Sequence, residues 1–562
     1  MTWVQRRAFV IFLLALMVVL VIWSLSSAAR IPSHSVLVLD ISGDIEEQRG
    51  ADVLAAFDGK TPVLHDYVDA IDAARSDSKV AGLVVKIGPL ETGWGKLEEI
   101  RAHLVQFRSS GKPSICYLGG DGTGNLEYYL ATGCKEVWMV PTAPLLVRGM
   151  MAEATFLRGT LDKLKIVPDY YHIAEYKTAT NELTEKKFTP AHREEVDSLL
   201  HGIYNQYLTD VSGARSLART DFETLVGQGP FSTDEAVKNH LVDRTAYWDQ
   251  VQEYFKDRGH GWEPVELGRY REHMGDGIGT ARIAVIRASG LIVSGESGNS
   301  PNGSFIMGGD SVAADLRHAR KDPSIKAIVF RIDSGGGSVV ASEVIRREVE
   351  LARDAKTLVV SMSDVAASGG YWIAMPAHKI VADPDTITGS IGVLIGKMNV
   401  SGLYAMLGLS TDSIATSDNA SLFSAQQNFT PPQKQWIEKT MQETYSAFIH
   451  GVANNRHMTA EQVDKIGKGR VWTGAQAKDI GLVDELGGLD RAIAVARDLA
   501  HISANQSVHI VNLPEEKNFF QLLLERQAGG SSQAATLQAI LRGVGITNEP
   551  VQVRVPFDLK IR

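Results

Sequence analysis

Three features of this sequence could do chemistry, and each has a plainer competing explanation. Ser368 stands in Ala-Ala-Ser-Gly-Gly-Tyr-Trp (366–372), directly after the strand-like run TLVVSMS and before the apolar Tyr371, Trp372 and Ile373. A serine at a sharp strand-to-helix turn exposes its hydroxyl and leaves the next N–H, that of Gly369, free for an oxyanion. The segment differs from the G-x-S-x-G elbow by one methyl, and a helix N-cap is the competing role. A second strand ends in Asp333-Ser334-Gly335-Gly336-Gly337-Ser338. Consecutive glycines at such a junction let backbone N–H groups converge on an anion or oxyanion, and the competing role is a tight turn. A phosphate loop is excluded, because no Lys-Ser/Thr pair follows. A serine nucleophile needs a base. His378, His450 and His457 fall at a strand start and on helix surfaces, which leaves a lysine kept neutral by burial as the other option.

The elements that must position these residues occur twice. The segment SVLVLDISGDI (35–45) resembles RIAVIRASGLI (282–292), with Gly43 matching Gly290 at an offset of 247. Further matches follow for 79–87, 125–139 and 231–243, where Asp243 meets Asp484 at an offset of 241. So slow a drift is the signature of a duplicated unit. Within each copy β-branched runs alternate with amphipathic stretches such as ASEVIRREVELARD (341–354), where Val344, Ile345, Val349 and Leu351 supply an apolar face. That alternation predicts an α/β fold with a mainly parallel sheet. The expected organisation is an N-terminal segment (1–29), a first repeat (30–267), a Gly- and charge-rich linker (268–282), a second repeat (283–500) and a C-terminal extension (501–562).

The copies differ where chemistry is expected. The first has Gly88-Pro89-Leu90 in place of the glycine run and Asn125, a cap without a nucleophile, in place of Ser368. Aligning 169–179 with 410–420 sets Lys177 opposite Asp418. One copy thus keeps a lysine without the serine and the other a serine without the lysine, which lifts Lys177 above solvated lysines such as Lys186 and Lys187.

The chain has 562 residues, a formal charge of −9, an apolar fraction of 44 % and a charged fraction of 22 %. These values exclude disordered and disulfide-stapled classes, and the acidic balance argues against nucleic acid as a partner. Arg6 and Arg7 precede an uncharged, largely apolar stretch at 8–29, long enough for a transmembrane helix. The positive flank predicts a cytoplasmic N-terminus with the remainder outside, and the stretch exceeds the apolar core of a cleaved signal peptide. Export permits a disulfide between Cys116 and Cys134, although two cysteines in so long a chain are more often small buried hydrophobes. With no CxxC and no HExxH, no metal or other cofactor is expected.

The segments DSGGGSVVASEVIR, SMSDVAASGGYWIAMPAHKIVADPDTITGSIGV and EYKTATNE resemble the signal peptide peptidase A (protease IV) family in its long, two-repeat form, from the N-terminal segment to about residue 500. The resemblance implies two tandem Clp-protease/crotonase-like repeats behind one transmembrane helix. It also implies a serine endopeptidase with a Ser-Lys dyad that degrades cleaved signal peptides on the periplasmic side of the bacterial inner membrane, as a homo-oligomer, expected to be a tetramer. Carried over residue by residue, Ser368 corresponds to the nucleophile and Lys177 to the general base. Gly369 and a glycine of the 335–337 loop, Gly337 first and Gly336 next, correspond to oxyanion donors, and Ser390 in Thr-Gly-Ser-Ile-Gly to the hydroxyl that holds the lysine. Related sequences have proline where this chain has Gly335, which loosens the loop without removing a donor. A non-enzymatic exported scaffold and a crotonase-like acyl-thioester enzyme are the alternative readings.

Overall fold

The computed structural model describes residues 30–49, 61–120, 122–257, 261–274, 279–300, 304–503, 505–514, 551–554 and 560–561. The 8–29 stretch lies outside them, and among the described residues no helix is long and apolar enough to cross a membrane.

Each repeat is built on a sheet whose central strands are parallel. In the first, the order is Arg244–Thr245, Glu136–Met139, Ser114–Leu118, Val80–Leu90, Ser35–Gly43, Glu263–Glu266, all parallel. The second repeats this with Glu485–Leu486, Lys379–Ala382, Thr357–Ala367, Ile325–Ser334, Ala281–Ser289 and Val508–Leu513. Strands covered on both faces must be apolar throughout, and the run from Ala327 to Phe330 is fully buried. The helix Val339–Ala355 starts where Ser338 Oγ accepts the Ala341 N–H at 3.2 Å and buries Ala341, Ile345, Val349 and Ala352. Val344, expected on its apolar face, lies outside and is exposed.

Two expected boundaries move. The linker's first half is the helix Leu267–Met274, whose Leu267 and Tyr270 are buried in the first core. The extension begins later than residue 501, because Val508–Leu513 pairs with Ala281–Ser289 as Glu263–Glu266 pairs with Ser35–Gly43. Cys116 and Cys134 are buried and bonded to each other, the pairing that the sequence left open.

The repeats share a buried ionic seam and a small sheet. Arg331 of the second repeat donates from Nη2 to Glu47 Oε1 at 2.6 Å and to Glu99 Oε2 at 2.7 Å, both in the first repeat, and all three side chains are buried. Lys96 Nζ reaches Asp333 and Asp364 at 3.0 and 3.3 Å. Lys96 and Glu99 both belong to the helix Trp94–Arg108, which presents a polar face to the other repeat. The small sheet takes Val167–His172 from the first repeat and pairs it antiparallel with Leu394–Asn399 of the second. The C-terminal strand Val551–Arg554 lies between Gly336–Ser338 and Leu394–Asn399, antiparallel to both.

Candidate active site

Ser368 ends the strand Thr357–Ala367 and precedes the helix Gly369–Ala374. Its backbone takes φ 55° and ψ −113°, a left-handed conformation that costs a non-glycine residue energy and persists only where the surroundings enforce it. Enforcement comes from its N–H, which donates to the Gly389 carbonyl at 2.8 Å, and from its own carbonyl, which accepts the Trp372 N–H at 2.9 Å. A capping serine would accept an N–H of the first turn; Ser368 Oγ makes no such bond. The hydroxyl faces a lysine instead.

That lysine is Lys177, 191 positions away, with Nζ 2.6 Å from Ser368 Oγ. It follows the strand Val167–His172, so the pairing of that strand with Leu394–Asn399 carries a first-repeat side chain into the second repeat. Tyr176 N–H donates to the Lys468 carbonyl at 3.1 Å, Gly469 packs so closely on the lysine's backbone that a Cβ there would collide with it, and Gly392 lies against its stem. Nζ also donates to Ser390 Oγ at 2.9 Å and to the Ser390 carbonyl at 3.0 Å. Ser390, at φ 52°, is pinned by its own N–H on the Arg470 carbonyl at 2.7 Å. Ser368, Lys177 and Ser390 are all fully buried. Burial penalises the ammonium and pushes the Lys177 pKa down to about 7, against an opposing pull from the Glu195 carboxylate. A neutral amine has two N–H groups and one lone pair. Here Ser390 takes both N–H groups, and the lone pair is left toward the Ser368 hydroxyl.

The glycines separate into two groups. As first residue of its helix, Gly369 has an N–H with no intrahelical carbonyl to meet. A Cβ on Gly369 would come within 3.1 Å of Gly337 N, so the two residues adjoin. Gly337 (φ 157°) admits no side chain, since a Cβ would lie 2.1 Å from the Ile292 carbonyl oxygen. Gly336 corrects the sequence expectation: its N–H donates to Ser334 Oγ at 3.1 Å and is already engaged. Gly369 and Gly337 remain as the adjoining oxyanion candidates, Gly337 lying in the short strand Gly336–Ser338 that pairs with Val551–Arg554.

The histidines set aside from sequence have other duties. His378 Nδ1 accepts the Leu358 N–H, His450 bonds within its helix, and His457 ends that helix in a left-handed turn. Asn125 is not a helix cap: Gly124 holds that place, and Asn125 Oδ1 accepts the Arg148 N–H. Among the described residues one trio, Asp72, His103 and Asp490, brings possible metal-ligand atoms within 4.8 Å of one another. Burial disfavours the imidazolium, but the two carboxylates outweigh it and hold the His103 pKa above its ordinary value, which makes the trio an ion-paired contact between repeats. Sequence reasoning missed Glu195, a buried carboxyl beside the lysine. The duplication carried its signal, because the helices Pro190–Arg215 and Pro431–Arg456 align at an offset of 241 and set Glu195 against Trp436.

Comparison with known proteins agrees with this duplicated architecture. The chain is 34% identical over 539 residues to "Serine protease SPPA, chloroplastic" of Arabidopsis thaliana, covering 94% of this chain and 78% of that protein. It is 35% identical over 486 residues to "Protease 4" of Salmonella typhi, covering 83% of this chain and 76% of that one. Among solved structures, ClpP1 from Listeria monocytogenes is similar to 36% of this chain over 91% of its own length, at 16% identity and a TM-score of 0.23. The profile of peptidase family S49 matches twice, at residues 106–260 and 350–503, one match in each repeat. The chain belongs to peptidase family S49.

Proposed function

We propose that this protein is a serine endopeptidase in which Ser368 is the nucleophile and Lys177 the general base. The observation that carries the reading is the 2.6 Å contact between Lys177 Nζ and Ser368 Oγ, with the amine's two other contacts on Ser390. Neutral Lys177 accepts the hydroxyl proton as Oγ attacks the scissile carbonyl carbon, and the carbonyl electron pair moves to the oxygen. The N–H groups of Gly369 and Gly337 receive that oxyanion, each such donor contributing about 3–4 kcal/mol to the transition state. The lysine proton then passes to the leaving amine as the C–N bond breaks, and water repeats the sequence on the acyl-enzyme.

The substrate is an extended, apolar peptide, and cleaved signal peptides are the class that fits. Support for an extended backbone comes from Val551–Arg554, since the strands Gly336–Ser338 and Leu394–Asn399 accept a chain between them beside the catalytic groups. The 8–29 stretch serves as a single membrane anchor, with the catalytic part on the periplasmic side of a bacterial inner membrane, and the working form is a homo-oligomer, a tetramer by family resemblance. The test is hydrolysis of a fluorogenic apolar peptide by the full-length chain in detergent, beside Ser368→Ala and Lys177→Ala. Turnover in the wild type and its loss in both folded variants is the expected result. An inactive wild type sinks the enzymatic reading, and an active Lys177→Ala sinks the base assignment.

A further inference from the structure

The mechanism above leaves unused one buried ionisable group that adjoins the lysine. Glu195 comes from the helix Pro190–Arg215 and is fully buried. Its two oxygens serve different partners: Oε1 accepts from Thr178 Oγ1 at 3.1 Å, and Oε2 accepts the Val471 N–H at 3.0 Å. Thr178 directly follows Lys177. Val471 opens the strand Val471–Thr473, which pairs antiparallel with Ile387–Gly389, the strand that ends at Ser390. The residue before Val471 is Arg470, whose carbonyl pins the Ser390 N–H. A single carboxyl therefore ties the segment that bears the lysine to the pair of strands that leads to the lysine's hydrogen-bond acceptors on Ser390.

The duplication separates this arrangement from ordinary packing. In the second repeat the positions matching Lys177 and Glu195 are Asp418 and Trp436, and the tryptophan is largely exposed. The copy with the lysine has the carboxyl; the copy without it has neither. A buried carboxyl costs desolvation energy that an apolar residue at the same place would avoid.

We infer that Glu195 is a positioning residue for Lys177, clamping the lysine segment of the first repeat onto the strand pair beside Ser390 in the second so that the amine faces Ser368. The inference rests on the reading of Lys177 as the base. The charged groups that face Glu195 are Lys177 from the loop and Arg470 from just before the strand Val471–Thr473, while Glu194 on its own helix is paired with Arg470 at 2.8 Å. Burial pushes the Glu195 pKa up to about 8, above the value of about 7 for Lys177, so the carboxyl is still protonated and neutral while the lysine gives up its proton. Gln at this position keeps both bonds, with Oε1 accepting from Val471 and Nε2 donating to Thr178, and carries no charge. Ala removes the clamp.

The experiment measures the second-order rate of Ser368 labelling by a fluorophosphonate across pH 5–10, together with kcat and KM on the fluorogenic peptide. It uses the full-length wild type, Glu195→Gln, Glu195→Ala and Lys177→Ala. Glu195→Gln, which matches the protonated carboxyl in shape and charge, is expected to keep both its alkaline plateau and its rates on the acidic limb within about threefold of wild type. Glu195→Ala is expected to lose at least about thirtyfold in kcat and in labelling rate, with KM within about twofold. A Glu195→Gln that loses as much activity as Glu195→Ala, or a fully active Glu195→Ala, overturns the role. If Glu195→Ala fails to fold, Thr178→Val, which removes only the bond on the lysine side, takes its place with a loss of at least about tenfold in kcat expected and unchanged activity overturning the role. Lys177→Ala separates the two claims: labelling at the wild-type rate in that variant removes the base itself, whatever the Glu195 variants do.

Discussion

Lys177 and Ser368 stand 191 positions apart, in different copies of one duplicated fold, with Nζ 2.6 Å from Oγ. Neither repeat can build this contact alone. The strand Val167–His172 must leave its own repeat and pair with Leu394–Asn399 before the lysine reaches the serine. Docking of the repeats is therefore a condition of the proposed chemistry.

The first consequence is a pH profile. Only neutral Lys177 can accept the serine proton, and burial brings its pKa down to about 7. Below that value kcat should fall about tenfold per pH unit, and above it the rate should level off. Steady-state rates from pH 5 to 10 check this, and a profile flat from pH 5 to 8 rules lysine out as base.

The second is a trade of stability for function at the same residue. In the unfolded chain a lysine stays protonated up to about pH 10.4, whereas folded Lys177 is neutral above about 7. Between those values folding releases a proton, so this group's contribution to stability improves as pH rises through the window and is at its worst below pH 7. Lys177→Met removes the cost and should stabilise the fold at pH 7 by a few kcal/mol, on the order of what such a shift implies, with the gain shrinking by pH 10. Urea unfolding at both pH values is the measurement; a variant less stable than wild type at pH 7 contradicts the account.

Much of this was legible in the sequence, for a physical reason. Ser368, Gly369 and Lys177 each have bland explanations, but the duplication provides a control copy in which the same backbone lacks the reactive group. The glycine run was less legible: composition shows that Gly336 and Gly337 are permissive, and only geometry shows that Ser334 Oγ has taken the Gly336 N–H. The seam was not legible at all. Lys96, Glu98 and Glu99 on a helix look like a solvated face until the second repeat is packed against them. The final strand of the second repeat was missed because its counterpart, Glu263–Glu266, is a short Glu-Pro-Val-Glu with almost no pattern to match.

Gly337→Ala tests the oxyanion assignment. The added methyl would meet the Ile292 carbonyl oxygen at 2.1 Å, a backbone atom that cannot swing aside, so the loop and its N–H must shift. Loss of one aligned donor costs about 100- to 1000-fold in kcat, with KM changing much less. Activity within threefold of wild type in a folded variant would remove Gly337 from the site.

Arg331→Met probes the docking of the repeats. The substitution leaves Glu47 and Glu99 buried beside a side chain with no charge. Breaking such a group by removing one member typically costs about 3–5 kcal/mol. Denaturation should show that loss, and kcat should fall because the lysine arrives with the first repeat. Adding Glu47→Gln and Glu99→Gln removes the stranded charges and should recover much of the stability; no recovery would mean that packing, not charge, holds the seam.

Glu98→Gln offers the opposite outcome at the same seam. Burial, reinforced by Asp385 and Asp383, holds the Glu98 pKa well above the ordinary carboxyl value. Glu98 Oε1, Asp383 Oδ2 and Asp385 Oδ2 are all buried and find no hydrogen-bond partner among the described residues. The folded state therefore keeps a proton that the unfolded chain gives up near pH 4.5, and stability from this group falls as pH rises from there toward the folded value. Glutamine keeps an acceptor for the Asp385 N–H, which Glu98 Oε2 now takes at 2.9 Å, and brings N–H donors to the carboxylates that lack them. At pH 5 the variant should melt with the wild type. At pH 8 it should melt roughly 2–4 °C higher, the shift that about 1 kcal/mol gives in domains of this size. Equal melting temperatures at pH 8 would show that Glu98 ionises in the folded protein at no cost.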